Sequence, residues 1–148
     1  MQISTRGRYG LRAMVDMALH SAEGPLALHV IAERQGISES YLEQVFTILR
    51  KAGLVKALRG AQGGYELSRP TAEISTREIV ESLEGPLTLV QCIGDSPASQ
   101  CGREKSCITR FFWAELSAKI ADFLEHTTLQ DLAERARAQN LDEPMYFI

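Results

Sequence analysis

The chain has 148 residues, 45% hydrophobic, 24% charged and 7% aromatic, which excludes a multidomain enzyme and wholesale disorder. No apolar run approaches the roughly 18 residues of a membrane span. No apolar signal region follows the first residues, and three cysteines are an odd count for a disulfide scaffold, so a cytoplasmic protein is expected. The net charge of −3 is unevenly spread: residues 1–70 hold nine Lys/Arg against six Asp/Glu, and residues 71–148 seven against thirteen. A basic first half and an acidic second half point to a polyanion meeting the first half alone.

In chain order, Leu11, Met14, Val15, Ala18 and Leu19 recur at helical spacing over residues 5–20, with Ser4 or Thr5 as cap and Gly24-Pro25 beyond the end. A short helix, with Val30 and Ile31 apolar, is predicted over Leu28–Gln35 and stopped by Gly36. Ser38-Glu39-Ser40 opens a longer helix whose Leu42, Val45, Phe46 and Leu49 form one stripe, and Gly53 ends it. The period then changes. Leu54–Leu58 reads as a strand and Tyr65–Ser68 as its partner, joined by the glycine-rich tip Arg59-Gly60-Ala61-Gln62-Gly63-Gly64 and closed by Pro70. Ser75 with Glu78 is a capping box for a helix to Leu83, ended by Gly85-Pro86. Residues 91–106 have no clear period. From Cys107 the helical pattern resumes, with Ile108, Phe111, Phe112, Leu116, Ile120, Phe123 and Leu124 on one wide apolar face. Thr127-Thr128 caps a last helix to about Ala138.

Helix, short helix, tight turn, longer helix and hairpin is the order of a winged helix-turn-helix. A major groove admits one helix that is packed on one side and polar on the other. In the helix opened by Ser38 the polar side carries Ser40, Tyr41, Glu43, Gln44, Thr47, Arg50 and Lys51. Gln44 suits adenine N6/N7, Thr47 a thymine methyl, and Glu43 only cytosine N4, which makes it a discriminator. Arg59, beside Gly60 at the hairpin tip, suits a minor groove. Arg6, Arg8 and the helix start at Ser38 are phosphate contacts that position without reading sequence.

The cysteines form the pattern Cys92-x8-Cys101-x5-Cys107. Thiolates suit an iron–sulfur cluster or zinc, and a thiol redox sensor or inert cysteines also fit the pattern. Cys107 is expected at a helix start, where free N–H groups favour a thiolate. Three ligands are one short of four. His126 sits about 28 Å along the following helix at 1.5 Å per residue. His20 or His29 from another subunit, Asp95, Glu104, an external small molecule and a partner's N-terminal helix all stay open for the fourth position.

Several segments together resemble the IscR-type winged-helix repressors, iron–sulfur transcription regulators whose relatives include NsrR and CymR. They are Ser4–Tyr9, Ile31–Ser38, Tyr41–Gln44, Leu54-Val55, Arg59-Gly60 and Gly63–Tyr65, with the three cysteines and Leu129 extending the match to about residue 135. The resemblance implies a mainly α fold with a small β-hairpin wing and a long C-terminal dimerisation helix. It implies a homodimer, palindromic promoter sites in double-stranded DNA, and a [2Fe–2S] cluster on Cys92, Cys101 and Cys107. It carries DNA contact to Ser40, Gln44 and Arg59, with Glu43 setting selectivity, in a repressor of cluster-assembly genes. A nitric oxide- or redox-sensing regulator using another cluster, zinc or a thiol switch is the alternative. No catalytic residue is expected. Two departures stand out: eight residues rather than five separate the first two cysteines, and Arg110 replaces a ligand histidine. NsrR-type relatives use a carboxylate from the partner's first helix, where this chain has Arg6 and Arg8, with Asp16 nearest. The expected division is a DNA-binding domain over 1–85, a cluster loop over 86–107, dimerisation and final helices over 108–140, and a tail over 141–148.

Overall fold

The computed structural model describes residues 1–94 and 101–140; the tail 141–148 and Asp95 lie outside the described residues. The first helix, α1 (Thr5–Leu19), is capped by Ser4, whose hydroxyl accepts from the Gly7 amide at 3.3 Å. A single 3₁₀ turn leads to α2 (Leu28–Gln35), then α3 (Glu39–Lys51), capped by Ser38. All four residues of the expected α3 stripe, Leu42, Val45, Phe46 and Leu49, have no exposure. They meet Ala13, Met14 and Met17 of α1 and Ile31 of α2 in the core. Burial of that stripe holds α3 in place, each large side chain contributing about 1.5–3 kcal/mol.

The hairpin is β1 (Val55–Leu58) and β2 (Gly64–Leu67), antiparallel, with Val55 opposite Leu67 and Leu58 opposite Gly64. The strand begins one residue later than the sequence predicts: Leu54 O accepts from Ser68 N at 3.1 Å, but the Leu54 amide is used in closing α3 onto Leu49 O at 3.0 Å. A further bridge has no local signal: Leu26 and Tyr65 exchange both backbone bonds, at 2.8 and 2.7 Å, tying the wing to the segment before α2. The helix α4 (Thr76–Glu84) carries the expected capping box, with Glu78 N donating to Ser75 Oγ at 3.1 Å and Ser75 N to Glu78 Oε2 at 3.0 Å.

The long helix α5 (Arg110–His126) starts three residues after Cys107, not at it. Thr109 makes no capping bond, and the amides of Glu104 and Ser106 are used in turns onto Cys101 O and Arg103 O. Ile108 therefore lies outside the helix. No residue of α5 is buried, and Ile108, Phe111, Phe112 and Phe123 are half or more exposed. Its far end is fastened by Thr76 Oγ1, which donates to Leu124 O at 2.8 Å. The last helix, α6 (Leu129–Ala138), is capped by Thr128 and Asp131 and seats Leu129 and Ala133 in the core beside α1. No helix among the described residues is long and apolar enough to cross a membrane.

One charge lies in the core. Asp16, 2% exposed, accepts from Arg34 Nε at 3.0 Å, Arg34 Nη2 at 2.6 Å and Gln35 Nε2 at 2.9 Å. A buried carboxylate is tolerated when its lone pairs are filled and its charge is matched. This clamp joins the end of α1 to the end of α2.

Candidate nucleic-acid interface and cysteine segment

Ser38 sets where α3 begins: its hydroxyl accepts from the Tyr41 amide at 3.3 Å. With the apolar stripe buried, Ser40, Glu43, Gln44, Thr47, Arg50 and Lys51 are exposed. Thr47 Oγ1 donates to Glu43 O at 2.8 Å, so its hydroxyl is used within the helix and its methyl is left to face outward. Arg50 and Lys51 occupy the last turn, where the helix dipole favours positive charge. Tyr41 is half-buried, and its ring meets Tyr9 of α1 edge-on at 6.0 Å and 84°. It packs on α1, and so braces the start of α3.

Arg59 and Gly60 are exposed at the wing tip. Gly64 has φ +154, and a Cβ there would lie 2.5 Å from Leu26 O, so the Leu26–Tyr65 bridge requires glycine. The wing's direction is therefore fixed by backbone contact with the segment ahead of α2. Arg8 is exposed, with Nη2 donating to Thr5 Oγ1 at 3.3 Å. Arg6 is exposed, and its Nε donates to Leu83 O at 2.7 Å, which anchors the guanidinium beside the end of α4.

Cys92 is half-buried and Cys101 and Cys107 are exposed, all three as free thiols. Among the described residues no three His, Cys, Asp or Glu gather into a metal-holding group. The Cys107 thiol lies 3.6 Å from Thr109 Oγ1 and is held below its ordinary range by that hydroxyl, by the amides of Thr109 and Arg110 and by the Arg110 charge. The favourable N–H groups that the sequence places at Cys107 do reach it, although the helix starts later. Arg110 turns to Glu104, at 2.9 Å, leaving Nη1 buried without a partner. Asp16 is closed off by Arg34 and Gln35. His20 Nδ1 faces Asp16 O at 2.8 Å, His126 Nδ1 faces Asp122 O at 2.9 Å, and His29 is exposed on α2. Sequence reasoning missed Tyr9, Leu26 and Glu84, whose partners lie far along the chain.

The family model for Rrf2, described as an iron-dependent transcriptional regulator, matches residues 3–135. The HTH-type transcriptional regulator IscR of Pectobacterium atrosepticum is 41% identical over 141 residues, 95% of this chain and 84% of that protein. The structure of CymR, the global cysteine regulator of B. subtilis, aligns with a TM-score of 0.77 at 40% identity, over 91% of this chain and 98% of that one. T. potens IscR aligns with a TM-score of 0.74 at 43% identity, over 94% and 91%. These relatives are transcriptional regulators, not enzymes, and they share the winged-helix architecture described above. The chain therefore belongs to the Rrf2 family of transcriptional regulators.

Proposed function

We propose that the chain is a cytoplasmic, homodimeric repressor of iron–sulfur cluster assembly genes. In this reading it binds palindromic promoter sites in double-stranded DNA and senses through a [2Fe–2S] cluster on Cys92, Cys101 and Cys107. The observation that carries the DNA half is the division of α3 between a stripe without exposure and the exposed face of Ser40, Glu43, Gln44, Thr47 and Arg50. That face reads base edges in the major groove. Gln44 pairs with adenine, Thr47 packs its methyl on thymine, and Glu43 rejects sites without a cytosine N4 donor. Arg59-Gly60 reaches a minor groove. Arg8, Arg50 and the α3 N-terminus at Ser38 hold phosphates, while Tyr41 keeps that N-terminus in place against Tyr9. Arg6, anchored through Nε on Leu83 O, keeps its Nη donors for the phosphate set.

The second copy is argued from α5. Phe111, Phe112 and Phe123 are 72%, 50% and 61% exposed on one helix, a large apolar area for a protein surface. Half-sites on adjacent turns of one DNA face require the two α3 helices of a two-fold dimer to lie about 34–36 Å apart, and pairing along α5 is the arrangement we assign to it.

The thiols suit a cluster in kind: they are soft, unpaired, and in Cys107 biased to the thiolate. They do not form a finished site, since no three His, Cys, Asp or Glu gather among the described residues and Arg110 is engaged with Glu104. His29 is a donor that a second copy can offer. When bound, the cluster supplies a restraint on the Cys92–Cys107 segment that is lost on oxidation or loss of iron. A second reading, in which a thiol or zinc switch takes the place of the cluster, is favoured by the exposure and thiolate bias of Cys107 and by the likeness to CymR. The visible spectrum of anaerobically purified protein, with an iron and sulfide count, tests the choice. Visible absorption with matched iron and sulfide is expected. Colourless protein with zinc or bare thiols overturns the cluster and leaves the second reading.

A further inference from the structure

The C-terminal end of α4 is fastened to the first turn of α1. Glu84 Oε1 accepts from the Ser4 amide at 3.1 Å, from the Ser4 hydroxyl, and from the Gly7 amide at 3.1 Å. Arg6 Nε donates to Leu83 O beside it. The approach is close enough that a Cβ on Gly7 would lie 2.4 Å from Glu84 Oε1, and one on Gly10 2.3 Å from Leu83 Cδ1. Glycine is unfavourable inside a helix, so these two positions trade local helix stability for contact between α1 and α4.

This fastening lies between the two halves of the proposed function. On one side, Gly85 and Pro86 follow Glu84 directly, and the chain then runs to Cys92. On the other, the next turn of α1 touches the reading helix: Tyr9 meets Tyr41, and a Cβ on Gly10 would lie 3.2 Å from Val45 Cγ1. The contacts differ in kind. Leu83 and Val45 are core residues with one packed arrangement. Ser4 is exposed and Glu84 half-buried, positions where a hydrogen bond exchanges with water at small net cost. A carboxylate at a helix N-terminus is favoured by the free N–H groups there. The Ser4 hydroxyl first, then the Ser4 and Gly7 amides and the Arg6 charge, hold Glu84 below the ordinary carboxylate range, so it is ionised at neutral pH.

We propose that Glu84 is the positioning residue that couples the cysteine segment to the DNA-reading helix, by seating or releasing the first turn of α1. This rests on the reading of Cys92–Cys107 as the sensing segment and adds the route by which its state reaches α3. Residues 85–92 join Cys92 to Glu84 along the chain, so a displacement of that stretch is carried to Glu84. With Glu84 seated, α1 holds Tyr9 against Tyr41. With Glu84 released, the Ser4 amide loses its acceptor, the Gly7 amide keeps only the Ser4 hydroxyl, and the first turn of α1 loosens. Sites coupled in this way must show reciprocal free energies, so DNA and the cysteine segment both bias the same latch.

The test uses the full chain in two forms, as thiols and after anaerobic loading with iron and sulfide. Two quantities are read: amide hydrogen exchange at residues 4–8, and affinity for a duplex selected from a random pool. In the unsubstituted protein the two forms are expected to differ in exchange at residues 4–8, and in affinity by about tenfold. Glu84→Ala is expected to exchange fast in both forms and to bring the affinity ratio to within about twofold of one, with iron and sulfide content unchanged. Glu84→Gln keeps an acceptor oxygen and is expected to keep most of the ratio, and Ser4→Ala to lose part of it. A merely structural Glu84 would lower the melting temperature and leave the ratio intact, and that result overturns the coupling role. So does identical exchange at residues 4–8 in two unsubstituted forms of different affinity. Equal affinity of the two unsubstituted forms is a separate outcome, which overturns the sensing reading itself and the coupling with it.

Discussion

Gln44 and Thr47 show how one helix face divides its work among neighbouring side chains. Thr47 has its hydroxyl donor on Glu43 O and offers a methyl and an acceptor oxygen, while Gln44 is exposed with an amide that both donates and accepts. Removing Gln44 should therefore cost discrimination. Gln44→Ala is expected to weaken binding by about 1–3 kcal/mol at one base position and to relax preference there alone. Arg8→Ala is expected to weaken all duplexes alike and to reduce the salt slope by about one. Binding isotherms on singly substituted duplexes at several salt concentrations separate the two. Asp16 shows the opposite economy, a charge kept away from ligands. Asp16→Ala leaves Arg34 unpaired beside the core and is expected to destabilise the fold by about 3–5 kcal/mol in urea unfolding. Replacing both Asp16 and Arg34 with apolar residues of similar volume is expected to restore much of that loss. No sequence pattern showed this clamp, because its partners are 18 residues apart and meet only when α2 folds back on α1.

Among the elements, those with local signals were read from the sequence nearly to the residue. Ser38, Ser75 and Thr128 cap α3, α4 and α6 as their spacing implied, because a hydroxyl and the amide three residues on form a contact that needs no tertiary partner. The start of α5 was misread for the same reason in reverse: Thr109 supplies no cap, and an apolar pattern alone does not mark where a helix begins. The bridge from Leu26 to the wing escaped as well, since Leu26 pairs with Tyr65 across the whole of α2 and α3. The α5 face, by contrast, was legible as a helix but stays uncovered in the single chain. Phe111→Asp is expected to leave the fold of residues 1–85 intact and to convert a dimer to a monomer in sedimentation equilibrium. Operator affinity should fall at least tenfold with the loss of the second half-site. A variant that stays dimeric would move the interface away from α5.

At the scale of the whole molecule, the basic half carries the reading helix and wing, and the acidic half carries the cysteine segment and α5. The DNA-reading architecture was legible because it rests on period, capping and turn chemistry within about 70 residues. The cysteine segment was legible only as a donor set. Ligand geometry is a tertiary property, and Arg110, the residue at the position of the expected histidine, is taken up by Glu104. The link between the halves, from Glu84 through α1 to α3, lay in contacts between residues about 80 positions apart. The measurement that bears most directly on the central claim is a comparison of binding to a selected operator and to random duplex, with and without iron and sulfide, at fixed salt. A preference for the operator of about 10³ or more is expected, shifting between the loaded and unloaded forms. Equal affinity for operator and random duplex in both forms would contradict it.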